Sequence, residues 1–299
     1  MLGGMKRRRI LLLLALVVVA AGIALFWPRG PKEPAYHGKR LSQWIEQANA
    51  QPVQAQNEQS FLKSKEAACK AIRALGTNAL PWLMSEFTRP ESKWRGAFNR
   101  WTSAHPRIGF RFRGRWERAR TAALGLAVLG TNAASTLPTL AAYLADEDVG
   151  SWAAIAMGGA GEIALPYLMP SLTSTNRTER LCAAKGLGNA VYHSDAAIPG
   201  VVQLTHHSNV QVRVTALIAL GNAKGRHDLL IPVYKEALSS LDQGILRVAA
   251  YAVDRKDEVT KAVFPELLLL LTNTESSVVR AASNTIFHID PSALPPRGP

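Results

Sequence analysis

Apolar positions in the second half of the chain fall at helical spacing. Val210, Val214, Leu217 and Ile218 stand at offsets 0, 4, 7 and 8, which is one face of a helix, and Gly221 follows as its stop. A second helix places Ile231, Tyr234 and Leu238 at offsets 0, 3 and 7. The two together predict a helical hairpin with one apolar side.

This hairpin recurs. Pro166, Pro199, Pro232 and Pro265 follow one another at a constant interval, and each opens an apolar stretch. A helix tolerates proline in its first turn, so each proline marks the start of one helix per unit. Upstream, Arg180, Arg213, Arg247 and Arg280 keep the same interval, with a single extra position between Arg213 and Arg247. Four residues before each stands Asn176, Asn209, Gln243 or Ser276, where Asn and Ser suit a helix N-cap. Earlier copies run from Ala67 to Phe87 and from Arg118 to Leu144, each with a Gly-Thr-Asn-Ala turn, at 76–79 and 130–133.

One hairpin cannot bury its apolar face alone, so copies must stack. The expectation is an all-α, right-handed α-solenoid of about six helix pairs, closed by a single helix from Val278 to Ile289. At roughly 8 to 10 Å between packed helices it would be on the order of 50 to 60 Å long.

The Val212-Arg213 and Val279-Arg280 steps, the Ala74-Leu75-Gly76 and Ala219-Leu220-Gly221 endings and the Leu/Ile-Pro openings resemble HEAT repeats of the short bacterial type, over residues 67 to 290. Such repeats often carry Asp before the Val-Arg step and use it in an Asp-Arg ladder between neighbours. Here Asn176, Asn209 and Ser276 hold those positions. The stretch from Tyr36 to Trp44 is similar to the lead-in of bacterial membrane-anchored HEAT proteins, a group whose function is uncharacterised.

Ahead of the repeats, Ile10 to Trp27 is an unbroken apolar run, preceded by Lys6, Arg7, Arg8 and Arg9. As a helix it reaches about 27 Å, enough to cross a bilayer. The basic flank keeps the N-terminus cytoplasmic and sends the remainder across the membrane. Gly22-Ile23-Ala24 offers a competing reading, a signal peptide removed on secretion. The run is longer than the roughly 7 to 15 residues of a signal core, and Phe26-Trp27 reads as an interfacial aromatic anchor. The chain thus divides into a basic N-terminus (1–9), a membrane segment (10–27), a linker with a leading helix (28–66), the repeat array (67–290) with an insert (89–116), and a Pro-rich tail (291–299).

Composition narrows the chemistry. Two cysteines exclude a disulfide scaffold and a four-cysteine zinc site, and Cys69 and Cys182 lie three repeats apart, too far to bridge. Both read as small core residues. None of the seven histidines begins a His-Glu pair, whereas an iron enzyme of similar fold, the deoxyhypusine hydroxylase type, carries such pairs on successive repeats. His193 with Asp195 and His227 with Asp228 occupy turns one repeat apart, roughly 10 Å, against metal bonds of about 2 Å, and read as solvated. Gly158-Gly159-Ala160-Gly161 lacks the strand and the Lys-Ser/Thr of a phosphate loop and reads as a permissive turn. No catalytic, cofactor or metal site is expected.

The net charge of +13 is unevenly placed. Residues 89 to 120 hold ten basic residues and two acidic ones. The same stretch breaks the period, because Pro81 and Pro138 stand well over one interval apart where a plain repeat would separate them by one. Trp94, Phe98 and Trp101 have helical spacing, whereas Ile108, Phe110 and Phe112 alternate with Arg107, Arg111 and Arg113, as on an extended segment. Either the arginines form a solvated rim over aromatics that lock the insert down, or Arg107, Arg111, Arg113 and Arg115 with Trp94 and Trp101 bind an anion or a partner.

The leading functional reading is a non-catalytic, membrane-anchored scaffold whose solenoid presents an extended concave surface to a protein partner beyond the cytoplasmic membrane, which is the periplasm if the cell is Gram-negative. A second class is binding of anionic lipid, polymer or nucleic acid through the insert, although the anchor sets it apart from cytoplasmic nucleic acid. A third is an enzyme resembling the bilin lyases, which share these short repeats.

Overall fold

The computed structural model describes residues 30–51, 58–105, 109, 111–254 and 257–294. The apolar run 10–27, Arg107, Ile108 and Phe110 lie outside them. The chain enters through a departure from the all-α expectation, a short antiparallel hairpin of Ala35–Tyr36 (β1) and Lys39–Arg40 (β2). Its turn is His37-Gly38, both at positive φ (48° and 75°), the requirement of a two-residue hairpin turn.

The helices follow as α1 (Leu41–Ala48), α2 (Glu58–Leu75), α3 (Leu80–Thr88), α4 (Lys93–Ser103), α5 (Arg115–Leu129), α6 (Leu137–Ala141), α7 (Gly150–Gly159) and α8 (Leu165–Leu168). Then come α9 (Arg177–His193), α10 (Ile198–Leu204), α11 (Val210–Leu220), α12 (His227–Leu238), α13 (Gln243–Ala252), α14 (Asp257–Ala262), α15 (Phe264–Leu269) and α16 (Ser276–Ile289). Helix α2 runs across the 66/67 boundary drawn from the sequence.

The first helices of successive hairpins pack in single file, α2 on α5, then α7, α9, α11, α13 and α16. Their buried positions are largely alanine (Ala122, Ala154, Ala183, Ala216, Ala250, Ala282), which lets the axes approach. The bulk comes from the second helices, where Leu83, Phe87, Leu140, Leu168, Ile198, Val201, Tyr234 and Leu267 are buried. Each such side chain stabilises the stack by roughly 1.5–3 kcal/mol. Stretch Arg115–Ala141 is apolar and long enough to cross a membrane, but its Ala119, Ala122, Leu126 and Leu129 are buried in this stack.

Several local expectations change register. In α11 the buried residues are Val212, Thr215, Ala216, Leu217, Ala219 and Leu220, while Val210 and Ile218 are exposed. The helix is flanked by α9 and α13 and packs on α10 of the preceding hairpin, so burial follows those neighbours and not the most apolar stripe. Gly221 caps α11 in right-handed geometry (φ −56°). A Cβ there would lie 3.0 Å from Ile218 O of the same helix and 3.3 Å from Ala252 Cβ of α13, so the position is tight on both sides. Left-handed glycines stand instead at Gly76, Gly130 and Gly161, where the 3-10 turns between paired helices begin (φ 54°, 61° and 64°).

Pro81, Pro138, Pro166, Pro199 and Pro265 occupy the first turn of their helices, but Pro232 lies inside α12. That helix starts upstream because Arg226 takes a left-handed conformation (φ 55°) and pairs at 3.0 Å with Asp228 in the first turn, where the helix dipole favours an acid.

Asn176 and Asn209 do cap α9 and α11. The cap of α13 is Asp242, not Gln243, with Oδ1 accepting from Gly244 and Ile245 N–H at 2.8 and 3.1 Å, and that of α16 is Glu275, not Ser276. The repeat arginines consequently divide. Arg180 and Arg213 stand four residues past their caps and donate back to the two carbonyls before them, Ser174 and Thr175 at 2.7 and 2.9 Å, His207 and Ser208 at 2.9 Å each. Arg247 and Arg280 stand one residue further on, rotated by about 100° on the helix, and are exposed. Arg180 and Arg213 thus clasp the loops that lead from the preceding hairpin into their own.

Candidate functional site

The insert leaves the stack after α3 and rejoins it at α5, with α4 in between. Its two ends are tied by Arg118, which is only 3% exposed. Nη1 donates to Arg113 O at 2.8 Å, and Nη2 to Arg89 O and Pro90 O at 3.0 and 3.2 Å. Burial pulls this guanidinium below its ordinary pKa, while Glu91 and Glu86 oppose that shift. Arg118 is not among the sequence candidates, yet a signal exists. It stands four residues past the α5 cap Gly114, the same place as Arg180 and Arg213, and one arm has the same reach back to a loop carbonyl.

Inside the insert, Asn99 imitates a strand neighbour. Its Nδ2 donates to Phe112 O at 2.9 Å and its Oδ1 accepts from Phe112 N–H at 2.8 Å. This seats the Phe112 ring edge-on to Trp94 and Phe98, with centroids 5.0 and 5.3 Å away. The Arg95 guanidinium covers both Trp94 and Phe112, at 5.5 and 5.2 Å. Residues 93–103 form the helix that the aromatic spacing predicts, and 111–114 are extended without strand pairing.

Of the sequence candidates, Trp94 and Trp101 share one exposed face of α4, each about half exposed (49% and 50%). The arginines do not present one free cationic face. Arg111 pairs with Glu117, and Arg113 meets Glu46 at 3.2 Å. Arg115 bridges Asp146 at 2.5 Å and Asp148 at 3.2 Å. Burial works against the charge of Asp146, but Arg115 and the N–H groups of Val149 and Asp148 hold its carboxyl below the usual range. Arg115 is raised in turn, chiefly by its hydrogen bond to Asp146. Arg107 lies outside the described residues.

Replacing Arg118 with methionine keeps the bulk and strands three loop carbonyls, a destabilisation of about 2 kcal/mol. The expected result is faster cleavage of the insert by an arginine-specific protease, with little loss of helical circular dichroism. Unchanged cleavage would show that Arg118 does not hold the insert.

Elsewhere three histidines at or near helix ends pair with carboxylates of adjacent repeats, His206 with Glu236 (3.6 Å), His227 with Glu258 (2.5 Å) and His288 with Asp254 (2.7 Å). Among the described residues no group of three or more His, Cys, Asp or Glu is placed to hold a metal ion. Cys69 is half-buried, Cys182 is buried, and both are free.

No protein-family profile matches the chain, and no curated protein does. Solved structures of similar shape include Kap121p, at 16% identity over 86% of this chain and 38% of that one, with a TM-score of 0.41. Human deoxyhypusine hydroxylase aligns at 15% identity over 83% of this chain and 94% of that one, with a TM-score of 0.34. An engineered protein aligns at 17% identity over 83% and 95%, with a TM-score of 0.32.

Proposed function

We propose that this chain is a non-catalytic scaffold, held by residues 10–27 in the cytoplasmic membrane, whose helical repeats present a protein-binding surface on the outer side. The observation that carries the reading is the single-file packing of the first helices. Each touches the helix before and the helix after, which leaves a long outer face uncovered, and Leu181, Ile218 and Tyr251 are exposed along it on α9, α11 and α13. Extended faces of this kind suit recognition of a protein more than enclosure of a small substrate. The basic run before the apolar segment supports the orientation.

Photo-crosslinking residues placed at Ile218 and Tyr251 of the full chain, in its native membrane, test the surface. A discrete protein adduct at both sites, absent from the same probe at Thr173 in the second layer, is the expected result. No adduct at either site removes the scaffold reading. A C-terminal reporter that is active only after export should be active, and a cytoplasmic signal overturns the topology.

A further inference from the structure

Once Arg111, Arg113 and Arg115 are neutralised by carboxylates of this chain, the uncompensated charge among the described residues of the insert resides on α4. That helix, KWRGAFNRWTS, carries Lys93, Arg95 and Arg100 and no acid. Glu91, the nearest carboxylate in sequence, is engaged by Arg115 N–H at 2.6 Å and lies 3.8 Å from Arg118. Lys93 and Arg100 are seven residues apart, as are Trp94 and Trp101, so two cations run beside two half-exposed indoles along one side of the helix. The indoles are held in place, Trp94 against Phe112 and Trp101 beside His105 at 4.7 Å between centroids. Ordered tryptophans flanked by lysine and arginine match the interface of an anionic bilayer, where indole sits at headgroup level and the cations meet phosphate.

The course of the chain places this face where a bilayer would be. Gly30 lies against the end of α3, since a Cβ built on it would be 2.9 Å from Arg89 Nη2 and 3.4 Å from Ser85 Oγ. The apolar run ends at Trp27, three residues earlier, at most about 11 Å of extended chain. Lys93 follows Arg89 by four residues.

We propose that α4 is an interfacial docking helix that lays Trp94 and Trp101 into the headgroup layer, with Lys93, Arg95 and Arg100 on anionic phosphates, and so seats the first hairpin on the membrane. The inference rests on the membrane-anchored reading and adds the orientation of the array. Each basic residue near an anionic surface multiplies membrane affinity by about fivefold, and three together by on the order of a hundredfold, within a Debye length of about 8 Å.

The test uses the full chain in phosphatidylcholine–phosphatidylglycerol vesicles whose acyl chains carry bromine, a quencher of nearby tryptophan. In wild type, Trp27, Trp94 and Trp101 are the indoles that the proposal places in the bilayer, whereas Trp116, 53% exposed at the start of α5, stacks edge-on to Trp152. Trp94→Phe with Trp101→Phe is therefore expected to cut the quenched emission to about one third, the share left to Trp27. Lys93→Gln, Arg95→Gln and Arg100→Gln together should give the same loss, as should high salt or vesicles without phosphatidylglycerol. All five positions are on the insert helix, so unchanged helical circular dichroism confirms that the variants fold. Equal quenching in wild type and the double Phe variant overturns the proposal. So does retention of a labelled single-stranded oligonucleotide that the Gln variant loses, with no quenching difference. Carbonate extraction reads the anchor separately. A chain stripped from vesicles while the Trp94 and Trp101 quenching persists refutes the span and supports the docking helix.

Discussion

Leu220→Asp is expected to abolish the cooperative thermal transition of the array near physiological temperature, whereas Ile218→Asp, two residues away on the same helix, is expected to leave it nearly unmoved. Leu220 is fully buried at the end of α11, in the stack that joins α9, α11 and α13, and Ile218 is 54% exposed. A carboxylate at 220 enters apolar surroundings and also faces the negative end of its helix dipole, so the loss amounts to several kcal/mol. At 218 the same charge stays in water, and the change should remain within about 0.5 kcal/mol. Thermal melts followed by circular dichroism separate the two. Equal sensitivity at both positions would mean that the buried face of α11 is misplaced.

Gly159→Ala should destabilise the chain by about 3 kcal/mol, with the sign opposite to what helix propensity alone implies. Gly159 is the last residue of α7, and at an unhindered interior helical position alanine gains about 1 kcal/mol over glycine. Here the added carbon would lie 2.3 Å from Ala127 Cα and 2.6 Å from Ala127 O of α5. At the adjoining Gly158 it would meet Asn189 Cβ of α9 at 2.3 Å and Gly186 O at 2.8 Å. The two glycines thus admit the preceding and the following helix on opposite sides of α7, and backbone cannot give way as a flexible side chain can. Chemical denaturation of Gly159→Ala checks this. A stability equal to or above wild type would mean that the crossing is looser than described.

These two sites show how far the amino-acid order reaches. The constant interval of the prolines, their place in the first turn of most second helices, the asparagine caps of α9 and α11 and the helix from Trp94 to Trp101 were legible, because each depends on residues within a turn or two of one another or on plain recurrence. Gly158-Gly159 read as a turn, since nothing within a few residues of it announces that two other helices close on it. The one-residue shift that removes Arg247 and Arg280 from the clasp formed by Arg180 and Arg213 is likewise set by where Asp242 and Glu275 cap, a choice made between competing local residues.

The insert divides in the same way. Its boundaries, its aromatic helix and its excess charge follow from composition and broken period alone. Which arginines remain free was decided by tertiary structure, because the carboxylates that neutralise Arg113 and Arg115 stand 67, 31 and 33 residues away, at Glu46, Asp146 and Asp148. A charge acts over a few ångströms in space, whatever its distance along the chain. The chain by itself therefore determined helical hairpins that must stack and a basic insert between the first two. Only the stack decided that Arg118 is buried, that Arg111, Arg113 and Arg115 are compensated, and that the cations left without a carboxylate among the described residues of the insert lie beside Trp94 and Trp101.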